Sequence, residues 1–228
     1  CVLANRLSKK ETNKVAVFEA GSSSNIWKVK MPLALLYTMH DPKYNWKYYS
    51  EPEPHLNNRR LFCPRGKMIG GCSAHNGMVF VRGNRNDYER WEGFGLKSWS
   101  YDKILPYFKK IENWSGGENQ YRGSFGLLPV NQSKNNNPLF SAFLNASSEA
   151  GHKINPDMNG EIQEGMGMFD TTIHNGERAS VSKYYLNPVK SRKNLNIFSN
   201  SFVEKIIFEG KKAVGIKVKI KNKIEKIY

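Results

Sequence analysis

Four side chains with reactive or hydrogen-bonding heads stand close together at Cys72, Ser73, His75 and Asn76, framed by Gly70, Gly71 and Gly77. A thiol, a hydroxyl, an imidazole and a carboxamide are costly to leave without partners. The glycines remove the Cβ atoms that would hold another group away from the backbone. The combination predicts a loop or helix start whose amides face a ligand. On residue type alone the imidazole has two readings, a ring hydrogen-bonded within its loop or a point of attachment. Cys72 reads as a small buried filler, because no histidine stands at a spacing that would activate it. His40, His55, His152 and His174 show no metal-ligand spacing, and no metal site is expected.

The elements around this run must position it. Cys1–Leu7 carries apolar residues at helical spacing, and Val15-Ala16-Val17-Phe18 reads as a short buried strand ending in Glu19-Ala20-Gly21. A helix feeding a strand that closes on an acid is the second half of a dinucleotide-binding βαβ unit. There the carboxylate accepts from a ribose, about 20 residues after a glycine fingerprint. Counting back from Glu19 places that fingerprint before Cys1, so the chain is expected to be cut at its start. The alternative for Glu19 is an ordinary solvated acid after a strand.

At the other end, residues 196–198, 205–208 and 213–218 read as strands, the last two joined by a turn over Glu209–Lys212. Between the ends, Asp41–Trp46 and Glu51–Pro54 read as proline-marked loop. A helix capped by Asn86 or Asp87 and a second over Ser98–Phe108 are expected, with their aromatics in the core. Residues 115–119 and 132–138 read as loops, Leu139–Ala150 as a helix stopped by Gly151, and 165–173 as strand-like. Gly176–Ser180 is expected to open another helix containing Tyr184 and Tyr185.

The 228 residues are 39% hydrophobic and 12% aromatic, a globular composition rather than a disordered one. The longest apolar stretch, Met31–Tyr37, is too short to span a bilayer and reads as core or ligand-facing surface. A net charge of +15 raises a nucleic-acid or anionic-membrane partner. The lysines are scattered, however, and the densest run, Lys217–Lys226, alternates with Val218, Ile220 and Ile224, as a strand with one wet face does. A lysine-rich solvated surface is the expectation, with no nucleic-acid partner. Three cysteines without a CxxC pair exclude a disulfide framework and fit a reducing compartment.

The block Pro64–Trp91 resembles the flavin-contacting signature of the glucose-methanol-choline (GMC) oxidoreductases, which bind FAD. Weaker correspondence extends to Glu19, Trp99–Phe108, Gly176–Leu186 and Phe202–Val218. Cys72 and His75 depart from the commoner family pattern and match its choline-oxidising branch, in which that histidine is joined to the flavin. The resemblance implies an α/β fold: a Rossmann-like FAD-binding domain with an inserted α+β substrate lobe, truncated at both ends. It divides the chain into FAD-binding domain over 1–136, the start of the substrate lobe over 137–174, and FAD-binding domain again over 175–228. It implies oxidation of a choline-like alcohol by hydride transfer to flavin N5, with oxygen or a respiratory quinone taking the electrons; the alternative within the family is a dehydrogenase for another alcohol that holds its FAD non-covalently.

Cofactor contacts implied by the resemblance are Glu19 on the ribose, the backbone of Gly70, Gly71 and Gly77, and Cys72. Ser73 and Asn76 would donate to ring heteroatoms or phosphates, and His75 is the attachment point where the flavin is covalent. Met68, Met78 and Val79 would lie against the flavin, and main-chain groups of Val203 would bond the adenine. The family's catalytic histidine and its partner lie further along such proteins, so no catalytic residue is expected within this chain. A cytoplasmic or membrane-peripheral protein without a transmembrane segment, able to dimerise, completes the expectation. The different class weighed against it is a basic nucleic-acid-binding module without catalysis.

Overall fold

The computed structural model describes residues 1–221 and 223–228, and these form two compact units. The first unit comprises Cys1–Gly77 and Ser180–Tyr228, and the second Met78–Ala179. The expected divisions after residues 136 and 174 both fall inside the second unit.

In the first unit, the Val15–Phe18 strand pairs in parallel with Leu195–Phe198, from Val15↔Leu195 to Phe18↔Phe198. The Phe18 and Phe198 rings stack at 4.9 Å. Helix Val2–Leu7 lies beside this pair because Ala4 shares a buried cluster with Leu186, Val189 and Leu195, against which Val15, Val17 and Ile69 pack. Three antiparallel strands, Ser201–Glu209, Lys212–Ile220 and Lys223–Ile227, form a meander. Gly210, at φ 58°, makes the first turn in the left-handed region expected of the Glu209–Lys212 hairpin. Val218 is buried between Lys217 and Lys219, but Ile224 is 54% exposed and the whole strand Lys223–Ile227 is exposed, so the alternation expected over Lys217–Lys226 holds at Val218 and fails at Ile224.

The segment leading to the glycine run is pinned by a buried carboxamide. Asn45 Oδ1 accepts from Lys47 N and Arg65 N, both at 2.9 Å, and its Nδ2 donates to Met39 O. The Met31–Tyr37 stretch is not core. Its short turns Pro32–Ala34 and Leu35–His40 bury Ala34 and Thr38, while Leu33 and Leu36 are 83% and 61% exposed.

The second unit carries a four-stranded mixed sheet in the order Val79–Phe80, Asp170–Thr171, Leu128–Gln132, Glu112–Trp114. Helix Arg85–Gly93 is capped by Asn84, whose side chain accepts from Asn86 N at 2.9 Å, so neither Asn86 nor Asp87 is the cap. Helix Tyr101–Ile111 follows, and Tyr88 meets the Trp91, Tyr101 and Phe108 rings within 5.5–6.1 Å. Tyr101 is buried and Tyr88 and Phe108 are half-buried, but Trp91, Trp99 and Tyr107 stay exposed. Helix Pro138–Glu149 ends before Gly151, at φ 86°, as expected.

Gly176 does not open a helix. Asn175 and Gly176, at φ 51° and 73°, form the two-residue turn between strands Ile173–His174 and Glu177–Arg178. The helical segment containing Tyr184 and Tyr185 begins only in the first unit, as a π-turn over Ser182–Leu186.

The second unit is centred on charge. Glu112 is fully buried and accepts from Arg82 Nη2 at 2.6 Å, Arg122 Nη2 at 3.1 Å and Gly123 N at 2.8 Å. Arg122 also pairs with Asp157 at 2.6 Å and Asp170 at 2.7 Å. Burial works against its charge, yet the hydrogen bond and charge of Glu112, with those of Asp170 and Asp157, hold its pKa above the usual arginine value.

Candidate functional site: the double-glycine turn

Gly70 and Gly71 both take positive φ, at 97° and 54°, a conformation that costs an L-residue about 1–2 kcal/mol. They turn the chain from the buried Met68 into a 3₁₀ turn over Gly71–Ala74, closed by His75 N and Asn76 N donating to Cys72 O at 3.1 and 2.8 Å. A Cβ at Gly66 would lie 2.3 Å from Gly71 O, so the approach strand and the turn touch backbone to backbone.

Glu19 closes its strand as expected. Its Oε1 accepts from Gly21 N at 2.8 Å, which aims the carboxylate along the loop. A Cβ at Gly21 would lie 1.8 Å from Lys67 O, and Ile69 N donates to Ser22 O at 3.0 Å. Ser201 N donates to Glu19 O at 2.8 Å, so the strand carrying Val203 departs from the same point. Glu19, residues 68–77 and Val203 are therefore brought together in the first unit, though far apart in sequence. Met78 and Val79 belong to the second unit.

Several side chains have tasks other than those expected. Met68, 0% exposed, packs with Val29, Tyr44 and Ala74, so its side chain is core and not a ligand-facing surface. Ser73 Oγ donates its one proton to Gly70 O at 2.7 Å and accepts from Val181 N at 3.1 Å; the loop itself uses the hydroxyl expected to bind a ligand. Cys72 is exposed rather than a buried filler, its Sγ accepting from Gly66 N at 3.4 Å. His75 is buried at 3% exposure, whereas Asn76 and Gly77 are exposed. Gly77 has neither a positive φ nor a neighbour within 4 Å of an added Cβ, so the surrounding protein does not require glycine there.

Beside Glu19 lies a cleft of about 520 Å³ lined by Ala20, Trp46, Lys67, Phe202, Lys219 and Lys221. Trp46 and Phe202 are 5.9 Å apart at their ring centres, and Lys67 Nζ sits 4.9 Å above the Trp46 ring. The sequence reading assigned no role to Trp46 or these lysines. Their nearest signal was the aromatic run Tyr44–Tyr49 inside an otherwise polar loop.

Residues 13–228 match the GMC oxidoreductase family. The chain belongs to that family. Among its GMC relatives is the oxygen-dependent choline dehydrogenase of Sinorhizobium fredii, 45% identical over 98% of this chain and 40% of that protein. The mitochondrial choline dehydrogenase of Mus musculus is 44% identical over 95% of this chain and 37% of its own. This GMC chain thus spans about 40% of the length of the curated relatives it matches. Pyridoxine 4-oxidase from Mesorbium loti superposes with a TM-score of 0.93 at 27% identity, over all of this chain and 45% of that one. The α/β class expected from the sequence is that of a GMC oxidoreductase. Family membership favours the oxidoreductase reading over the basic nucleic-acid-binding module that the net charge had raised. Among the described residues no helix is long and apolar enough to cross a membrane.

Proposed function

We propose that this chain is the flavin-holding part of an FAD-dependent enzyme that oxidises a choline-like alcohol to its aldehyde. The carrying observation is the left-handed Gly70–Gly71 turn, built from one half of the first unit and supported from the other, with exposed Gly77 at its end. A glycine that neither φ nor packing demands is accounted for by a group lying against its backbone. The residues present fit FAD in that respect, and in offering an acid, aromatic rings and lysines beside the strand end. Bound FAD supplies the hydride acceptor for the CH–OH carbon.

Glu19 would take the ribose hydroxyls with its remaining lone pairs, and the Trp46–Phe202 cleft with its three lysines suits an anionic nucleotide. Gly70, Gly71 and Gly77 admit the cofactor to the main chain, and Val203 offers main-chain groups one residue before a bulge in its strand. Cys72 and Asn76 lie at the exposed side of the turn, and His75 is the attachment point. We assign Met78 and Val79 to the cofactor as well. We assign residues 137–174 to the start of the substrate lobe. The names of the relatives support choline as the alcohol and oxygen as an acceptor, a quinone being the alternative. We place the enzyme in the cytoplasm or at a membrane surface, as a monomer or homodimer, and assign the proton-removing base to no residue of this chain.

The experiment is purification of the polypeptide followed by acid denaturation. A yellow protein whose flavin stays on the chain, and is released in His75→Ala, is the expected result. Release of all flavin from the unsubstituted protein overturns attachment through His75, and failure to take up FAD at all overturns the proposal.

A further inference from the structure

Behind the double-glycine turn, three serine hydroxyls from two distant stretches of the first unit form a hydrogen-bonded chain. Ser182 Oγ lies 2.7 Å from Ser24 Oγ and 2.8 Å from Ser180 Oγ, and Lys183 N donates to Ser180 Oγ at 3.3 Å. All three serines are buried, at 8% exposure for Ser24, 4% for Ser180 and 3% for Ser182. A hydroxyl has a single proton. The central Ser182 can therefore donate to at most one of its two neighbours and must accept from the other.

This centre touches the turn directly. A Cβ built on Gly70 would stand 3.1 Å from both Cβ and Oγ of Ser182, so the left-handed glycine rests against that side chain. Ser73 closes the same seam from the turn's side, accepting from Val181 N and donating to Gly70 O. Ser182 begins the Ser182–Leu186 π-turn, a rare geometry that recurs at functional sites. Two segments separated by more than 100 residues are thus locked at one peptide, the one at which the chain reverses to present Gly71 and its successors.

We propose that Ser182, held between Ser24 and Ser180, is a positioning residue for the cofactor-binding turn: it fixes where the Gly70–Gly71 backbone meets the flavin nucleotide. The inference rests on the FAD reading given above. It implies that the hydroxyl chain tunes cofactor binding without touching the cofactor, and that its members act as one unit.

The test is made on the whole polypeptide in a His75→Ala background, where FAD is held reversibly, with FAD as the titrant. Three quantities are measured: the dissociation constant, the visible spectrum of flavin bound at saturation, and the melting temperature without cofactor. Ser182→Ala is expected to weaken FAD binding about tenfold, the loss of roughly one to two net hydrogen bonds, and to shift the bound-flavin spectrum. Ser24→Ala should weaken binding in the same direction, and the double substitution should add little to Ser182→Ala, as residues acting together do. Ser147→Ala, which removes a buried hydroxyl bonded within its own helix, should change neither constant nor spectrum. A merely structural role would lower the melting temperature and leave the saturated spectrum as it was; that result overturns the inference. So does unchanged FAD affinity in Ser182→Ala while the unsubstituted chain binds FAD, and this leaves the functional proposal standing. If Ser182→Ala fails to fold, Ser24→Ala decides alone. A chain that takes up no FAD in any form defeats both.

Discussion

Replacing Glu112 by glutamine keeps the shape of the side chain and one oxygen acceptor while removing its charge. Two guanidinium groups converge on this carboxylate, Arg82 at 2.6 Å and Arg122 at 3.1 Å, with Gly123 N at 2.8 Å. Arg122 would keep Asp157 and Asp170, but Arg82 would lose its only carboxylate partner among the described residues. Removing one member of a buried pair costs about 3–5 kcal/mol, because the other charge stays desolvated. Against a usual domain stability of about 5–15 kcal/mol, that is roughly a fifth or more of the total. With an m-value of about 2 kcal/mol/M in urea, a cost of about 4 kcal/mol lowers the unfolding midpoint by roughly 2 M. Equilibrium urea unfolding followed by tryptophan fluorescence reads it, since Trp114 lies 4.1 Å from the Arg122 guanidinium. Asp157→Asn is the comparison: its carboxylate is 17% exposed and Arg122 retains two other acids, so less than half the shift is expected. A midpoint drop below about 0.5 M for Glu112→Gln would refute the argument, since it would mean the network is solvated in the folded protein.

Other outcomes follow from local geometry. Gly21→Ala places a Cβ 1.8 Å from Lys67 O and should cost about 3 kcal/mol or more, whereas Gly71→Ala meets nothing within 4 Å and pays only the left-handed conformation, about 1–2 kcal/mol. Thermal melts that rank these two in the opposite order would contradict the backbone contact. Asn175→Ala should lower the melting temperature by about 2–4 °C per kcal/mol of left-handed strain, and Asn175→Gly should not lower it; equal effects would remove the turn argument. Burial raises the Tyr185 phenol above its usual value, partly opposed by Arg6. A raised folded pKa gives stability that is complete below about pH 10 and lost as pH climbs through the folded value. Tyr185→Phe should therefore flatten the fall in stability above pH 10, and an unchanged alkaline slope would count against it.

Much of the first unit was legible because its strands carry β-branched residues and are bounded by glycine or acid. Val15–Phe18 and the Gly210 hairpin are of this kind. The position of Glu19 at the end of its strand was legible for the same reason, since the residue closing a strand before a glycine has few places to be. The Asn175-Gly176 turn was equally visible in the residues, yet it was read as the opening of a helix. The helical tyrosines a few residues later pulled the boundary forward, past a dipeptide that favours two positive φ values. Met31–Tyr37 shows what an apolar run cannot say: hydrophobicity along the chain does not reveal whether anything covers it. The roles of Ser73 and Met68 were hidden for a related reason. Residue type declares what a group can donate or bury, while the partner that takes the proton, here Gly70 O, exists only once the chain has turned. The charge network around Glu112 draws residues from position 82 to position 170, and no spacing rule links them.

The parallel pairing of Val15–Phe18 with Leu195–Phe198 bears on how the protein is made. As the nascent chain leaves the ribosome, residues 1–77 emerge early but lack the strand that completes them. Translation at about 5–20 residues per second imposes a wait of roughly 6–24 s before residue 195 is added. Residues 78–179 are contiguous and emerge in full during that interval. Through that interval Val15 and Val17 lack the strand and the buried cluster that cover them in the finished fold.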